Sequence, residues 1–270
     1  MSDNKYDTKG TVFHVARTRK DLEESFSLVY KEYAQRKLIP KGYKSKLRLS
    51  IFNTLPSTTT FVAKKDKRVL ATVTLIRDSP LGILMDKLFK EEVDGLRRQG
   101  HKVAEVSGLS IATELFGKGL FSMFNFNKLS FVFKLFKLVL DYATYVEKLD
   151  DLCIAIVPKH QYLYKFLNFE ALGKLKYYGT FNTPAIAQRL DLHLVADKTR
   201  RRKSLYKIFF DRKTDFSVFK DKYKLTPKDL EYFFIKKSDI FKNVDLGQLQ
   251  YIKSCYPGKT AAKVFKKIGV

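Results

Sequence analysis

Short apolar runs of period two alternate with longer runs of helical period along most of the chain, and this alternation predicts its elements. Thr11–Ala16 reads as an edge strand. Thr18 then caps a helix, with Asp21 at the capping-box position and Leu22, Phe26, Val29, Tyr30 and Tyr33 at helical spacing. Lys37–Ser57, with Pro40, Gly42 and Pro56, has no clean period and reads as irregular. Thr58–Ala63 and Val69–Ile76 flank the polar turn Lys65-Asp66-Lys67 and predict a β-hairpin. Asp78-Ser-Pro-Leu-Gly82 ends that sheet segment, and Met85–Gln99 returns to helical spacing with Gly100 as its stop. A strand over Lys102–Ala112, a long helix over Leu129–Glu147, a strand over Leu152–Val157 and a short helix over Tyr162–Asn168 follow. Glu170–Tyr178 and Ala185–Val195 read as two closing strands. The expected fold class is α/β (α+β), a mixed central sheet flanked by helices over residues 11–195.

Residues 196–270 change character. Arg200-Arg-Arg-Lys203 is a basic run, Thr226-Pro227 is a helix start with proline at the first helical position, and Leu230, Phe233, Phe234 and Ile240 suggest short amphipathic helices. A basic helical C-terminal extension is expected there. It holds much of the charge: the chain carries 52 Lys/Arg against 28 Asp/Glu, a formal net charge of +24. Such a field attracts polyanions, whether nucleic acid, an anionic membrane or an acidic protein. No recognition helix, zinc finger or RNP-type motif is present, so no nucleic acid is expected. Cys153 and Cys255 are the two cysteines, and four scattered histidines lack ligand spacing, so neither a disulfide framework nor a metal is expected. The polar start of the chain and the lysines interrupting Leu115–Leu140 argue for a cytoplasmic protein without a spanning helix.

The strand Lys102-Val-Ala-Glu-Val-Ser-Gly-Leu-Ser-Ile-Ala112 changes the picture most. It reads as buried, yet it carries Glu105, Ser107 and Ser110. A carboxylate in such a place needs a partner or a task. Gly108 inside the strand marks a bulge. The aromatic run Phe116, Phe121, Phe124, Phe126, Phe131 and Phe133 reads either as core or as an apolar channel.

Tyr164-Lys-Phe-Leu-Asn-Phe169-Glu-Ala-Leu-Gly173, coming after the Glu105 strand, a long helix and a further strand, resembles the second half of the GNAT acyltransferase fold, with Asn168 at a position where that fold favours glycine. More of the chain resembles the N-acyl amino acid synthases, relatives of the acyl-homoserine-lactone synthases. The segments that carry this are Val15-Ala-Arg17, Leu28-Val-Tyr30-Lys-Glu-Tyr33, Leu55-Pro-Ser-Thr-Thr-Thr-Phe-Val-Ala63, Ala71–Gly82, Val103–Ile111 and Val157-Pro-Lys-His160, all in the family's order. Two features depart from it: Gly108 stands where the relatives favour arginine, and Leu115-Phe-Gly-Lys-Gly-Leu-Phe121 is only partly glycine-rich.

The resemblance implies transfer of a long acyl chain from the phosphopantetheine of acyl carrier protein to the amine of an amino acid. Acyl-CoA is the alternative donor, and no cofactor is bound. Amide formation from a thioester needs a proton acceptor, stabilisation of the oxyanion and a protonated leaving thiol. Under this reading Glu105 is the base, Ser107 positions the amine, the backbone of Gly108, Leu109 and Ser110 receives the oxyanion, and Tyr164 is the acid. Arg17 and Arg77 are candidates for an acceptor carboxylate, or are solvated charges at strand ends. Phe116, Phe121 and Phe124 would line the acyl channel. Arg200, Arg201, Arg202 and Lys203 would meet an acidic carrier protein. One alternative is an acyl-CoA-dependent acetyltransferase of the GNAT fold; another, in a different class, is a non-catalytic module of this fold that binds an anionic membrane or nucleic acid through its basic tail.

Overall fold

The computed structural model describes residues 10–39, 44–115, 126–178, 182–211 and 213–269. Its centre is an eight-stranded sheet in the order β1-β2-β3-β4-β5-β8-β6, with β7 also paired to β8. The strands are β1 (Val12–Val15), β2 (Thr59–Lys65), β3 (Arg68–Arg77), β4 (Val103–Ile111), β5 (Asp151–Ile156), β6 (Glu170–Ala171), β7 (Lys176–Tyr178) and β8 (Thr183–Asp191). Every pairing is antiparallel except β4 with β5. The mixed sheet expected from the alternation is therefore present.

Local chemistry sets the boundaries. Thr18 and Asp21 form the reciprocal capping box that opens α1 (Arg19–Gln35). Asp66 and Lys67 both sit at positive φ, 50° and 63°, as a two-residue turn of type I′ requires, so β2 and β3 pair tightly. The helices α2 (Asp86–Arg98) and α3 (Phe126–Asp141) follow, and α3 continues into a π-turn over Tyr142–Val146. Glu170–Tyr178 forms two short strands rather than one, parted by a segment containing Gly173. The closing strand ends at Asp191 instead of Val195, because Asp191 Oδ1 accepts from the His193 and Leu194 amides and turns the chain.

Two apolar layers cover the sheet. One joins β4 and β5 to α3, to α4 (Gln161–Phe166) through Tyr164, and to Val195, Leu205 and Phe209. Those three lie in and after α5 (Val195–Arg200) and α6 (Lys203–Tyr206). The other layer joins Leu22 and Phe26 of α1 and Phe89 and Val93 of α2 to Leu230, Phe233, Leu249, Ile252 and Phe265. These belong to α7 (Pro227–Glu231), α8 (Leu246–Ser254), α9 (Lys259–Lys266) and the turn after α7. The basic C-terminal segment is thus helical, and its apolar residues complete both layers. Tyr223 N–H donates to Ala16 O at 2.8 Å, and Tyr256 Oη donates to Thr54 O, tying this segment to the opposite end of the chain.

Candidate active site

The parallel ladder between β4 and β5 is short. It runs from Val103 opposite Asp151 to Glu105 opposite Cys153, although β4 continues to Ile111 and β5 to Ile156. Past Glu105 the two strands part, so the edge of β4 facing β5 is left without a ladder. On its other side β4 pairs with β3, where Thr72 faces Ser110 and Thr74 faces Ser107. Val73 thus opposes both Gly108 and Leu109, which is the bulge expected at that glycine. Gly108 has φ 66°. The bulge restores the phase of the strand. Ala104, Val106, Leu109 and Ile111 face the first layer, whereas Val103 and Ala112 face the second. By alternation Glu105, Ser107 and Ser110 share that second face. A β-carbon added at Gly108 would lie 3.6 Å from Val29 Cγ2, so alanine fits in space but not in conformation. Gly108→Ala is expected to cost about 1–2 kcal/mol in urea unfolding.

Glu105 is 3% exposed. Its Oε2 accepts the Met85 amide at 2.6 Å. Among the described residues, no lysine or arginine nitrogen lies within ion-pair distance of it. Burial therefore dominates. It pushes the carboxyl up to about 8, with the Asp86 charge adding to the rise and the Met85 and Leu84 amides opposing it. Those amides belong to a loop held by Arg97. Its guanidinium grips Asp78 through Nε and Nη2 at 2.8 Å, Asp86 through Nη2 at 2.7 Å and Asp94 through Nη1 at 2.6 Å. Asp86 Oδ2 in turn accepts the Ile83 amide at 2.8 Å.

Tyrosines surround this carboxylate. Tyr33, from the end of α1, meets the Gly108 backbone; burial raises its hydroxyl, the Arg48 and Arg36 guanidinium groups lower it, and the Glu105 charge raises it further. Tyr178 of β7 is raised by burial and by Glu105, and lowered by Arg48. Tyr164 is raised by burial and by Tyr33, and is lowered by Arg36. Its ring packs edge-on against Phe136 and Phe169, at centroid distances of 5.9 Å and 5.6 Å. Both phenylalanines line an apolar crevice between α3 and the chain around Val195–Phe209. Nearby, burial and the cations Lys159, Arg36 and Lys128 push His160 down to about 4. Lys128, at the start of α3, is itself lowered by burial and by Arg36.

The structure brings together Glu105, Gly108 and, through Tyr33, Tyr164. Ser107 and Leu109 lie on the same parting strand, half-buried, and Ser110 Oγ is buried with no hydrogen-bond partner among the described residues. Arg17 and Arg77 are elsewhere: Arg17 Nη2 donates to Ser217 O at 3.0 Å, and Arg77 Nη1 donates to Glu147 at 2.9 Å. Arg200, Arg201, Arg202 and Lys203 are exposed together, with Arg202 over the Phe166 ring at 5.6 Å and its Nη1 on Phe166 O. Phe116, Phe121 and Phe124 lie outside the described residues. The sequence reading missed Tyr33, Tyr178, Arg36 and Arg48. The helical stripe that contains Tyr33 reads as core packing, and nothing in an irregular segment marks Arg48.

A mixed sheet covered by helices, with two parallel strands parting beside a buried carboxylate, has the GNAT-like architecture of acyltransferases. A family model described as N-acyl amino acid synthase FeeM matches residues 24–191, and the chain belongs to that family. Among solved structures it is similar to FeeM, an N-acyl amino acid synthase from uncultured soil microbes. There 27% of residues are identical over 72% of this chain and 98% of that one, with a TM-score of 0.59. The fold is also shared with the CoA-dependent acyl-homoserine lactone synthase BjaI, with 12% identity over 70% of this chain and 89% of that one and a TM-score of 0.50. TofI shares it too, with 12% identity over 67% and 91% and a TM-score of 0.50. No curated protein sequence matches the chain. No helix among the described residues is long and apolar enough to cross a membrane.

Proposed function

We propose that the protein transfers a long-chain acyl group from the phosphopantetheine thioester of acyl carrier protein to the amine of an amino acid, with Glu105 as general base. The observation that carries this reading is the Glu105 carboxyl, buried at the last paired position of β4 and β5 with no ion-pairing cation among the described residues. In its ionised form, which becomes populated as pH rises toward about 8, such a group is a strong enough base to take a proton from the incoming ammonium. The freed amine lone pair attacks the thioester carbonyl and a C–N bond forms. The oxyanion meets backbone amides of the unpaired β4 edge around Gly108–Ser110, with Ser107 beside the amine. Collapse breaks the C–S bond and the thiolate takes a proton from Tyr164, while the second proton leaving the nitrogen as the amide forms returns to the Tyr164 oxygen. The acyl tail follows the apolar crevice behind Tyr164, where each buried CH₂ contributes about 0.8 kcal/mol. Arg36, Lys128 and Lys159 face the phosphate of the pantetheine arm.

The donor is argued from charge. Acyl carrier protein is acidic, and the exposed Arg200–Lys203 run adjoins α4 through the Arg202–Phe166 contact. The test is mass spectrometry of lipid extracts from cells making the protein, set beside a Glu105→Gln variant. A new N-acyl amino acid, absent with the variant, is the expected result. With purified components, KM for acyl carrier protein should rise steeply between low and moderate salt, and KM for acyl-CoA much less. Reversing Arg201, Arg202 and Lys203 to glutamate should raise the former about tenfold or more. Equal salt dependence for the two donors would refute the carrier-protein assignment.

A further inference from the structure

The guanidinium groups near Glu105 are almost all engaged. Arg97 holds three aspartates. Arg36 pairs with Glu32 at 3.2 Å, and Arg189 bridges Asp151 and Asp191. Arg48 differs. Its flanking residues, Leu47 and Leu49, are buried, and its own amide is tied to α1 by a 3.0 Å bond to Phe26 O. Its side chain is half-buried, and among the described residues no carboxylate lies within ion-pair distance of it. A guanidinium partly withdrawn from water without a counter-charge is unfavourable unless a ligand supplies one. Leu47 and Leu49 pack into the second apolar layer, the layer that Glu105 faces and against which Tyr178 also packs. Tyr33 and Tyr178 each feel the charges of both Arg48 and Glu105.

We propose that Arg48 receives the carboxylate of the acceptor, so that the enzyme acylates α-amino acids in preference to amines that lack a carboxylate. This rests on the acyl-transfer reading above and adds the acceptor's second contact. An α-amino acid carries its amine nitrogen about 2.5 Å from its carboxylate carbon. One molecule seated between Glu105 and Arg48 thus presents an ammonium toward the first and an anion toward the second. The guanidinium fork can hold that anion through two parallel hydrogen bonds. The segment carrying Arg48 joins α1 to the 3₁₀ turn at Ile51–Thr54, so its hold on α1 fixes where that carboxylate sits.

The test uses acceptor pairs that differ only in the carboxylate: L-leucine with isopentylamine, and L-phenylalanine with phenethylamine. Initial rates are measured with a saturating acyl thioester donor and the full-length chain. The wild type is expected to favour the amino acid of each pair. Arg48→Gln is expected to raise KM for the amino acid roughly ten- to a hundredfold, the loss of a charge-assisted bidentate contact, and to leave KM for the amine unchanged. Arg48→Lys should fall between, keeping the charge without the fork. Comparable rates of thermal unfolding for the three proteins exclude a folding defect, and Arg48→Lys carries the comparison if Arg48→Gln does not fold. Equal changes for amine and amino acid, or a wild type indifferent to the carboxylate, would overturn the assignment while leaving amide formation intact. A chain that makes no amide from any donor removes the acyl-transfer reading itself.

Discussion

Replacing Glu105 by glutamine is expected to lower kcat by about 10²- to 10⁴-fold, the range for loss of a positioned general base. The wild-type pH profile should carry the signature of the same group. A carboxylate must be ionised to accept a proton, and Glu105 ionises only at about 8, so kcat/KM should climb through neutral pH and level off above that value. A second measurement separates chemistry from packing. The unfolded chain ionises this group near 4.5, whereas the folded protein holds its proton to about 8. The folded state thus binds more protons across that window, and stability falls as pH rises through it. At about 1.4 kcal/mol per pH unit, the loss is on the order of 3–5 kcal/mol. Urea unfolding at pH 5 and pH 8.5 should show this loss in the wild type and not in Glu105→Gln. Full activity in the variant would remove Glu105 from the mechanism. A missing stability slope would show that the carboxyl is not proton-holding.

The second large effect comes from the loop that grips this carboxyl. Asp86 sits beside Met85, whose amide Glu105 accepts, and its charge opposes ionisation of Glu105. Asp86→Asn keeps an oxygen for the Ile83 amide and removes the charge, so the rise in activity should begin at lower pH. Arg97→Gln acts in the opposite sense. It leaves Asp86 unneutralised and loosens the loop that supplies the Met85 and Leu84 amides. Both changes favour the protonated acid, and the profile should move to higher pH. The same substitution strands Asp78 and Asp86, 24% and 16% exposed, which should cost about 2–4 kcal/mol. Tyr33, Tyr178 and Cys153 also feel Glu105, but they belong to α1, β7 and β5 and are unchanged in both variants. Profiles that shift in the same direction would refute this account of how the base is tuned. A merely structural Arg97 would lower activity equally at every pH.

Arg17 and Arg48 show why some of the site was legible in the sequence and some was not. Arg17 drew attention because it follows a strand and matches a family segment, yet its guanidinium is spent on Ser217 O, 200 residues away in the chain. Arg48 lies in a stretch without periodicity, where no local rule assigns a side chain its surroundings. Tyr33 fits a helical stripe, and only the tertiary position of α1 brings its hydroxyl to the Gly108 backbone. Gly108 itself was readable, since a glycine within an apolar strand has few uses other than a bulge. The closing strands were placed to within a few residues, and their breaks came from contacts that sequence does not display. Glu92, on α2, lies so close to Gly173 that a β-carbon there would meet its Oε1 at 2.9 Å.

What the sequence determined by itself was local and periodic. Alternation set the strands, helical spacing and the Thr18 capping box set α1, and an isolated carboxylate in an apolar strand marked the position where chemistry was to be sought. What only the tertiary structure decided was the company that carboxylate keeps. β4 and β5 pair over three residues and then part, the loop pinned by Arg97 brings amides but no cation, and the basic tail turns its apolar face inward to close both layers. Proton affinity depends on burial and on charges from elements far apart in the chain, and no periodicity along the chain encodes those distances.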